Sequence, residues 1–153
     1  MHHHAPHDYR SPFCLVAQGI ENEHAITRAS DLVYQDDHLT GFISAHQWQN
    51  NKGHVLITPN DHHENLYTLP DELSVHIHRL TRRVALAMKT AYNCQGISTR
   101  QHNEPAGNQD VWHYHLHVFP RYMGDSLYTS DYELMPEPVR ARYAKLIRPE
   151  LHG

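Results

Sequence analysis

Cysteine is scarce in this chain of 153 residues, which contains only Cys14 and Cys94. Two cysteines that form no Cys-x-x-Cys pair exclude a disulfide scaffold, so we expect a reducing, cytoplasmic environment. No apolar run approaches the ~18 residues of a membrane span, and no secretory signal pattern is present. Basic residues are also few, with 13 Lys and Arg against 17 Asp and Glu. We therefore expect neither membrane nor nucleic acid as a partner.

The chain also lacks internal repeats and Gly/Ser-rich linkers. Its length suits one compact domain, since domains commonly have ~100–150 residues. Apolar residues make up 39% of the chain, enough for a single core. We therefore expect residues 1–153 to form one domain, in which residues 1–10 are a flexible N-terminal segment.

The pattern of apolar residues predicts an α+β fold with a mainly antiparallel sheet. A stripe at steps of three and four predicts a long helix over 70–93. Pro70 lies in its first turn, where proline is favoured. A second helix is predicted over 138–147. Short apolar runs between turn residues predict five strands, over 32–35, 40–45, 53–58, 97–101 and 111–119.

Histidine is abundant, with 17 residues, and three of them occur at every second position in the segment Trp-His-Tyr-His-Leu-His-Val-Phe-Pro-Arg. Side chains alternate faces along a strand, so His113, His115 and His117 are predicted to share one solvated face. The opposite face is apolar and is predicted to pack against the long helix. Eight other histidines are interpreted as surface residues: His24, His46, His62, His63, His76, His78, His102 and His152.

Three interpretations of the histidine row are open. The rings line a solvated strand face, they bind a metal, or they catalyse a reaction. Neutral imidazole is a common metal ligand, but no His-x-His-x-Asp-His run is present and no carboxylate follows the row. Catalysis is favoured, because histidine forms covalent intermediates and its ordinary pKa of ~6.5 suits proton transfer.

The row and its flanks resemble the histidine triad (HIT) superfamily. The segment from Gln109 to Arg121 resembles its Gln-x-φ-x-His-φ-His-φ-His-φ-φ signature, where φ is apolar. Upstream, Gly53-His54-Val55-Leu56-Ile57-Thr58-Pro59 resembles the family's Gly-His strand. The closing Pro120-Arg121 resembles the hydrolase-type branches. The resemblance implies the HIT-like fold, a sheet of about five strands packed by one long helix and a short C-terminal helix.

The resemblance also implies catalytic roles. His115 would attack the α-phosphorus of a nucleotide derivative and form a nucleotidyl-histidine intermediate. His117 would move a proton near the leaving group or the attacking water. His113 would orient His115 through its backbone carbonyl, and His54 would support it from the neighbouring strand. No cofactor is implied for the covalent step, and homodimerisation is implied as in many family members.

Further positions match substrate-binding residues of the family. Gln109 and the backbone from Gly107 to Asp110 would hold phosphate oxygens, and Asn103 would lie near them. Phe13 and Val16 would pack against the base. Simpler interpretations are also open, because Gln109 suits a strand entry, Asn103 and Gly107 suit a turn, and Phe13 suits a core.

Three departures limit the resemblance. Asp110 replaces the family's Ser or Thr and would repel a phosphate unless paired. Ser44 replaces an Asp or Asn that holds the ribose, in a segment from Phe42 to His54 that is longer than usual. Trp48, Asn50 and Asn51 are candidate substitutes. Ser11 replaces the first cysteine of a zinc-binding pair, so we expect no structural zinc.

The sequence therefore predicts a nucleotide hydrolase or transferase that acts at the α-phosphate of a dinucleoside polyphosphate, a nucleoside phosphoramidate or a similar conjugate. Two alternatives are a nucleotide-binding protein with little catalysis and a metalloenzyme that uses the triad as ligands.

Overall fold

The computed structural model describes residues 2–152. Its main sheet has the strand order β1-β2-β4-β6-β5 and is antiparallel throughout, and β3 pairs with β7 in a second, two-stranded sheet. The α+β architecture with a five-stranded sheet is confirmed. In chain order the elements are α1 (Pro12–Ala17), β1 (Leu32–Gln35), β2 (Leu39–Ile43), β3 (His46–Trp48), β4 (Val55–Pro59), α2 (Asp71–Ala91), β5 (Gly96–Gln101), β6 (Leu116–Arg121), β7 (Tyr132–Leu134) and α3 (Glu137–His152).

Helix α2 covers one face of the main sheet. Its buried residues are the predicted stripe, Ile77, Leu80, Val84, Ala87 and Met88. They share a core with Tyr114, Leu116 and Val118, which confirms that the apolar side of the histidine row packs against the long helix. The helix begins one residue later than predicted, because Pro70 is the N-cap.

The C-terminal helix is longer than predicted and is held to the rest of the chain by a buried ion pair. Helix α3 extends from Glu137 past Pro149 to His152, whereas we predicted a short helix over 138–147. From α3, Arg140 makes two 3.0 Å hydrogen bonds to the buried carboxylate of Asp31. This pairing fixes α3 beside the start of β1.

Helix α1 lies over the other face of the sheet and was not predicted. Ser11 is its N-cap, accepting hydrogen bonds from the backbone N–H groups of Phe13 and Cys14, and Pro12 occupies the first turn. A Ser-Pro pair is a recognised helix start, but six residues are too few to show periodicity. Phe13 and Val16 pack against Phe42 and Leu56 of the sheet.

The segment between β2 and β4 forms an unpredicted strand. The long insertion that begins after Phe42 contains β3, which pairs with β7 near the C-terminus. After it, Gly53 has a φ of +89°, and a Cβ there would lie 2.7 Å from the Tyr92 ring. Glycine is therefore required immediately before His54.

The N-terminal segment contacts the body of the chain, although we predicted flexibility for residues 1–10. The backbone N–H groups of His4 and Ala5 each donate a 2.9 Å hydrogen bond to the Glu64 carboxylate. The hydroxyl of Tyr9 accepts a hydrogen bond from the N–H of Trp112. Met1 lies outside the described residues. No helix within residues 2–152 has the length and apolar character needed to cross a membrane.

Candidate active site

A cavity of about 660 Å³ opens on the face of the sheet opposite α2. This volume suits a nucleotide-sized ligand. Seven of the predicted site residues line the cavity: Phe13, Ser44, His54, Gln109, Asp110, His115 and His117. The other four, Val16, Asn103, Gly107 and His113, do not.

The orientation of His115 is set by the backbone. Its Nδ1 lies 2.7 Å from the carbonyl oxygen of His113. A carbonyl only accepts hydrogen bonds, so Nδ1 carries the proton and Nε2 has the free lone pair in the neutral ring. This Nε2 lies 3.6 Å from a carboxylate oxygen of Asp110, which lines the cavity. The ring is buried, and its nucleophilic nitrogen is directed toward the cavity.

His54 and His117 form a hydrogen-bonded pair beside His115. Nε2 of His54 lies 2.9 Å from Nδ1 of His117, and the two rings are stacked. Nδ1 of His54 is buried and has no partner among the described residues. We assign the proton of His54 to Nε2, which then donates to His117, because Nδ1 of His54 makes no hydrogen bond of good geometry within the described residues. His117 then carries its own proton on Nε2. His54 thus supports His117, whereas we predicted that it supports the nucleophile.

Both rings of this pair are neutral near pH 7. Burial, followed by the charge of Arg100, lowers the pKa of His54 to about 3. Burial and the neighbouring His54 hold the pKa of His117 well below 6.5. Proton transfer at an ordinary histidine pKa, which we expected from the sequence, therefore does not apply to His117.

His113 is separated from the cavity. Its Nε2–H donates to the carbonyl of Pro59 at 2.8 Å, and its Nδ1 accepts a 2.7 Å hydrogen bond from the hydroxyl of Ser11. Burial lowers its pKa to about 3. The prediction of three rings on one solvated face is wrong, because α1 covers this end of the row. The strand also begins at Leu116, not at residue 111.

The predicted phosphate-binding loop is stabilised by internal hydrogen bonds. The Gln109 amide donates to the carbonyls of Glu64 and Val111, and its oxygen accepts from the N–H of Glu104. Asn103 bonds to the side chain of Gln101 and to the N–H of Leu66. Gly107 accepts a hydrogen bond from the ring of His102. Phosphate binding by this loop stays a prediction.

The predicted base-binding and ribose-binding residues are divided between cavity and core. Phe13 lines the cavity and contacts the rings of Phe42 and His115 at 5.4 and 5.1 Å between centroids. Val16 packs in the core beneath it. Ser44 lines the cavity, as does Trp48. Asn50 and Asn51 instead donate to the backbone of Asp125 and Pro120, outside the cavity.

Several cavity residues were not predicted. Tyr132 reaches the cavity from the two-stranded sheet, and Arg100 and His102 reach it from the end of β5. His24, His46 and His102 also line it, although we interpreted them as surface residues. In the structure Arg100 is the cross-strand neighbour of His117. The sequence does not give the register of these two strands, so this neighbour could not be identified from it.

No metal centre is evident in residues 2–152, where no three His, Cys, Asp or Glu side chains are grouped as ligands. At the position of the family's zinc pair, Ser11 and Cys14 both face Nδ1 of His113, with the Cys14 sulfur 3.6 Å away. A serine hydroxyl is a poor zinc ligand compared with a thiolate. The absence of structural zinc stays a prediction.

Known proteins are similar to this chain in sequence. The model of the HIT domain matches residues 27–124. The Bacillus subtilis protein named Protein hit is 36% identical over 90 residues, which are 59% of this chain and only 61% of that protein. The adenosine 5'-monophosphoramidase of Saccharomyces cerevisiae is 35% identical over 71 residues, which are 46% of this chain and 42% of that protein.

Solved structures have the same fold. A HIT-like protein from Bartonella henselae, described as involved in cell-cycle regulation, has a TM-score of 0.77 and 26% identity and covers 95% of this chain and 100% of its own. The Plasmodium falciparum diadenosine triphosphate hydrolase has a TM-score of 0.71 over 99% of this chain and 89% of its own. At 17% identity the latter shows the fold alone. The family match covers most of the chain, and the chain belongs to the HIT family.

Proposed function

We propose that this protein is a nucleotide hydrolase or transferase that cleaves a nucleotidyl conjugate at its α-phosphate through a covalent intermediate on His115. One observation carries the proposal. Nδ1 of His115 is held as a donor to the carbonyl of His113 at 2.7 Å, so in the neutral ring the lone pair of Nε2 is free and directed into the cavity. An oriented imidazole with a free lone pair is a nucleophile that needs no further activation.

The reaction would proceed in two displacements. His115 Nε2 forms a bond to the α-phosphorus, and the bond from phosphorus to the leaving group breaks with its electron pair on the leaving group. Water or another acceptor then attacks the phosphorus, and the electron pair of the N–P bond returns to Nε2. The acceptor's proton passes to solvent, because the neutral His117 already carries a proton on Nε2 and accepts the hydrogen bond of His54 at Nδ1. The Nε2–H of His117 is the hydrogen-bond donor nearest to the leaving group in this scheme.

The rest of the cavity suits a nucleotide. Phe13, Ile26, Phe42 and Leu56 provide an apolar end for a base, and the polar end contains the histidines. The similarity to the Saccharomyces cerevisiae adenosine 5'-monophosphoramidase supports the reaction class, cleavage of a nucleotidyl conjugate. Homodimerisation and a cytoplasmic location stay predictions from the sequence.

Trapping the intermediate tests the proposal. The protein would be mixed with a dinucleoside polyphosphate or a nucleoside phosphoramidate labelled at the α-phosphorus, quenched in base, and examined by mass spectrometry for a nucleotidyl group on His115. We expect labelled parent protein and no label on His115→Ala, with turnover reduced by at least ~10³-fold. Equal turnover by His115→Ala and the parent would refute the mechanism.

A further inference from the structure

Arg100 is a partly buried cation with no carboxylate partner among the described residues. Its guanidinium lies 4.8 Å from the ring centroids of Phe119 and Tyr128 and 5.5 Å from that of Trp48. Its Nε and Nη2 are buried and make no hydrogen bond within residues 2–152. The aromatic rings hold the group in place and accept part of its charge, but they provide no anion.

The other partly buried or buried arginines among the described residues are all hydrogen bonded, two to carboxylates and two, Arg28 and Arg148, to backbone carbonyls. Arg121 bonds to both carboxylate oxygens of Asp125, and Arg140 does the same with Asp31. Taking guanidinium nitrogens out of water without a hydrogen-bond partner is unfavourable, so such nitrogens are rare unless a ligand binds them. Arg100 also lines the cavity, which makes the cavity the place from which an anion would reach it.

The strand register places Arg100 next to the reacting groups. In the antiparallel pairing of β5 with β6, Arg100 is directly opposite His117. Directly opposed residues project on the same face of a sheet, so the guanidinium and the His117 ring share the polar end of the cavity. The charge of Arg100 is also among the causes that lower the pKa of His54 and His117, as expected for groups in close proximity.

We propose that Arg100 binds the leaving group, and that this leaving group is a phosphate-bearing anion, such as a nucleoside diphosphate, rather than an amine. The proposal rests on the proposed function, because the leaving group is defined relative to attack by His115. It makes Arg100 a specificity-determining residue and nucleoside polyphosphate conjugates the preferred substrates.

The chemistry of the two leaving groups supports this choice. When a P–N bond breaks, the amine leaves with the electron pair and must gain a proton. The neutral pair of His117 and His54 cannot donate one without forming an imidazolate. When a P–O bond to a phosphate breaks, the oxygen keeps the electron pair as an oxyanion and needs no proton. Its added charge is stabilised by the guanidinium of Arg100 and the N–H of His117.

Two substrates with different leaving groups distinguish leaving-group binding by Arg100 from a purely structural role. Diadenosine triphosphate has a nucleoside diphosphate as its leaving group, whereas adenosine phosphoramidate has an amine, and both offer the same adenylyl group to His115. We expect Arg100→Met to lower kcat/KM for the triphosphate by about 30-fold or more, as for loss of a charged hydrogen bond. For the phosphoramidate we expect a change within about threefold. Arg100→Lys should restore part of the loss.

Arg83→Met is the matched control, since Arg83 also stacks on a tyrosine ring but lies on α2, outside the cavity. We expect it to leave both substrates unchanged. Equal losses on the two substrates in Arg100→Met, or a parent enzyme that prefers the phosphoramidate, would overturn the proposal while leaving the His115 mechanism intact.

Binding of inorganic tripolyphosphate to the full chain, measured by calorimetry, gives a readout that does not depend on turnover. We expect binding by the parent and by Arg83→Met and its loss in Arg100→Met. If the parent turns over neither substrate, the proposed function fails. Tripolyphosphate binding that requires Arg100 would then still support an anion site there, and its absence would refute one.

Discussion

The two ends of the histidine row have the same residue type and spacing but opposite surroundings. At one end, both nitrogens of His113 are hydrogen bonded, to Pro59 and Ser11, and α1 covers the ring. At the other end, His115 and His117 line a cavity, and each has one nitrogen without a protein hydrogen bond among the described residues. One end of the row is a core element and the other is available for chemistry.

This difference shows that histidines of one repeated motif have different roles, one in stability and another at the cavity. The contribution of His113 to the nucleophile comes from its backbone carbonyl, which any residue has. Its ring instead joins Ser11 at the start of α1 to Pro59 at the end of β4. The ring of His113 should therefore matter for stability, and the ring of His115 for turnover.

Replacing these two rings should give the largest contrast. We expect His113→Ala to lower the free energy of unfolding by about 3 kcal/mol, because it leaves a cavity and removes the partners of Pro59 and Ser11. We expect His115→Ala to change it by less than about 1 kcal/mol, since that ring already borders a cavity. Urea unfolding followed by circular dichroism measures both.

Turnover should show the reverse order. His113→Ala, assayed below its unfolding transition, should keep turnover within about tenfold of the parent, because the carbonyl that orients His115 remains. His115→Ala should lose it. If His113→Ala unfolded no more easily than the parent, or if it abolished turnover while folded, the division between the two ends would be wrong.

The next largest effect should be a loss of stability in acid, caused by the buried histidines. His54 and His113 have pKa values of about 3 in the folded chain, against ~6.5 when unfolded. Between these values the unfolded chain binds more protons, so stability is complete above pH 6.5 and is lost as the pH falls below it. Each ring should cost about 2 kcal/mol by pH 5, which urea unfolding at pH 7.5, 6 and 5 measures.

Two variants identify which histidines cause this pH dependence of stability. His113→Ala should remove about a third of the loss between pH 7.5 and 5, since His54 and His117 are still held neutral by burial. His7→Gln, at an exposed histidine, should leave the loss unchanged. A pH dependence that survives in His113→Ala would mean that this ring is not held neutral by burial.

Periodicity predicted the parts of the fold that repeat. The stripe of α2 and the apolar alternation at Tyr114, Leu116 and Val118 both appear in the core. Helix α1 and the pairing of β3 with β7 were missed because they have only six and three residues per element. Pairing between strands that are distant in the chain has no local signal.

Three of the predicted site residues, His54, His115 and His117, line one cavity, and their roles stay predictions. The solvated face was mispredicted at His113, because α1 covers that ring, whereas the predicted contact of its backbone carbonyl with His115 is present. Arg100 was missed because two features single it out, its strand register opposite His117 and its lack of an ion-pair partner among the described residues. A missing ion-pair partner is a property of three-dimensional structure, not of the order of residues.

The smallest of the expected effects concerns Asp110, which faces the open end of the row. The imidazole of His115 holds the pKa of this carboxyl below its ordinary value, so it is ionised at pH 7. Its side chain is 76% exposed, and one oxygen lies 3.6 Å from the nucleophilic nitrogen. A negative charge there opposes a phosphate, and solvent screens much of the repulsion.

Asp110→Asn should therefore tighten binding of an adenosine monophosphate by about fivefold at low salt, and by less at high salt. Asp110→Glu keeps the charge and should bind like the parent, which separates charge from the shape of the side chain. Calorimetric titration at two salt concentrations measures both variants. Weaker binding by Asp110→Asn would mean that the carboxylate assists phosphate binding through a protonated His115, and the open end of the row would then bind its substrate as an ion pair.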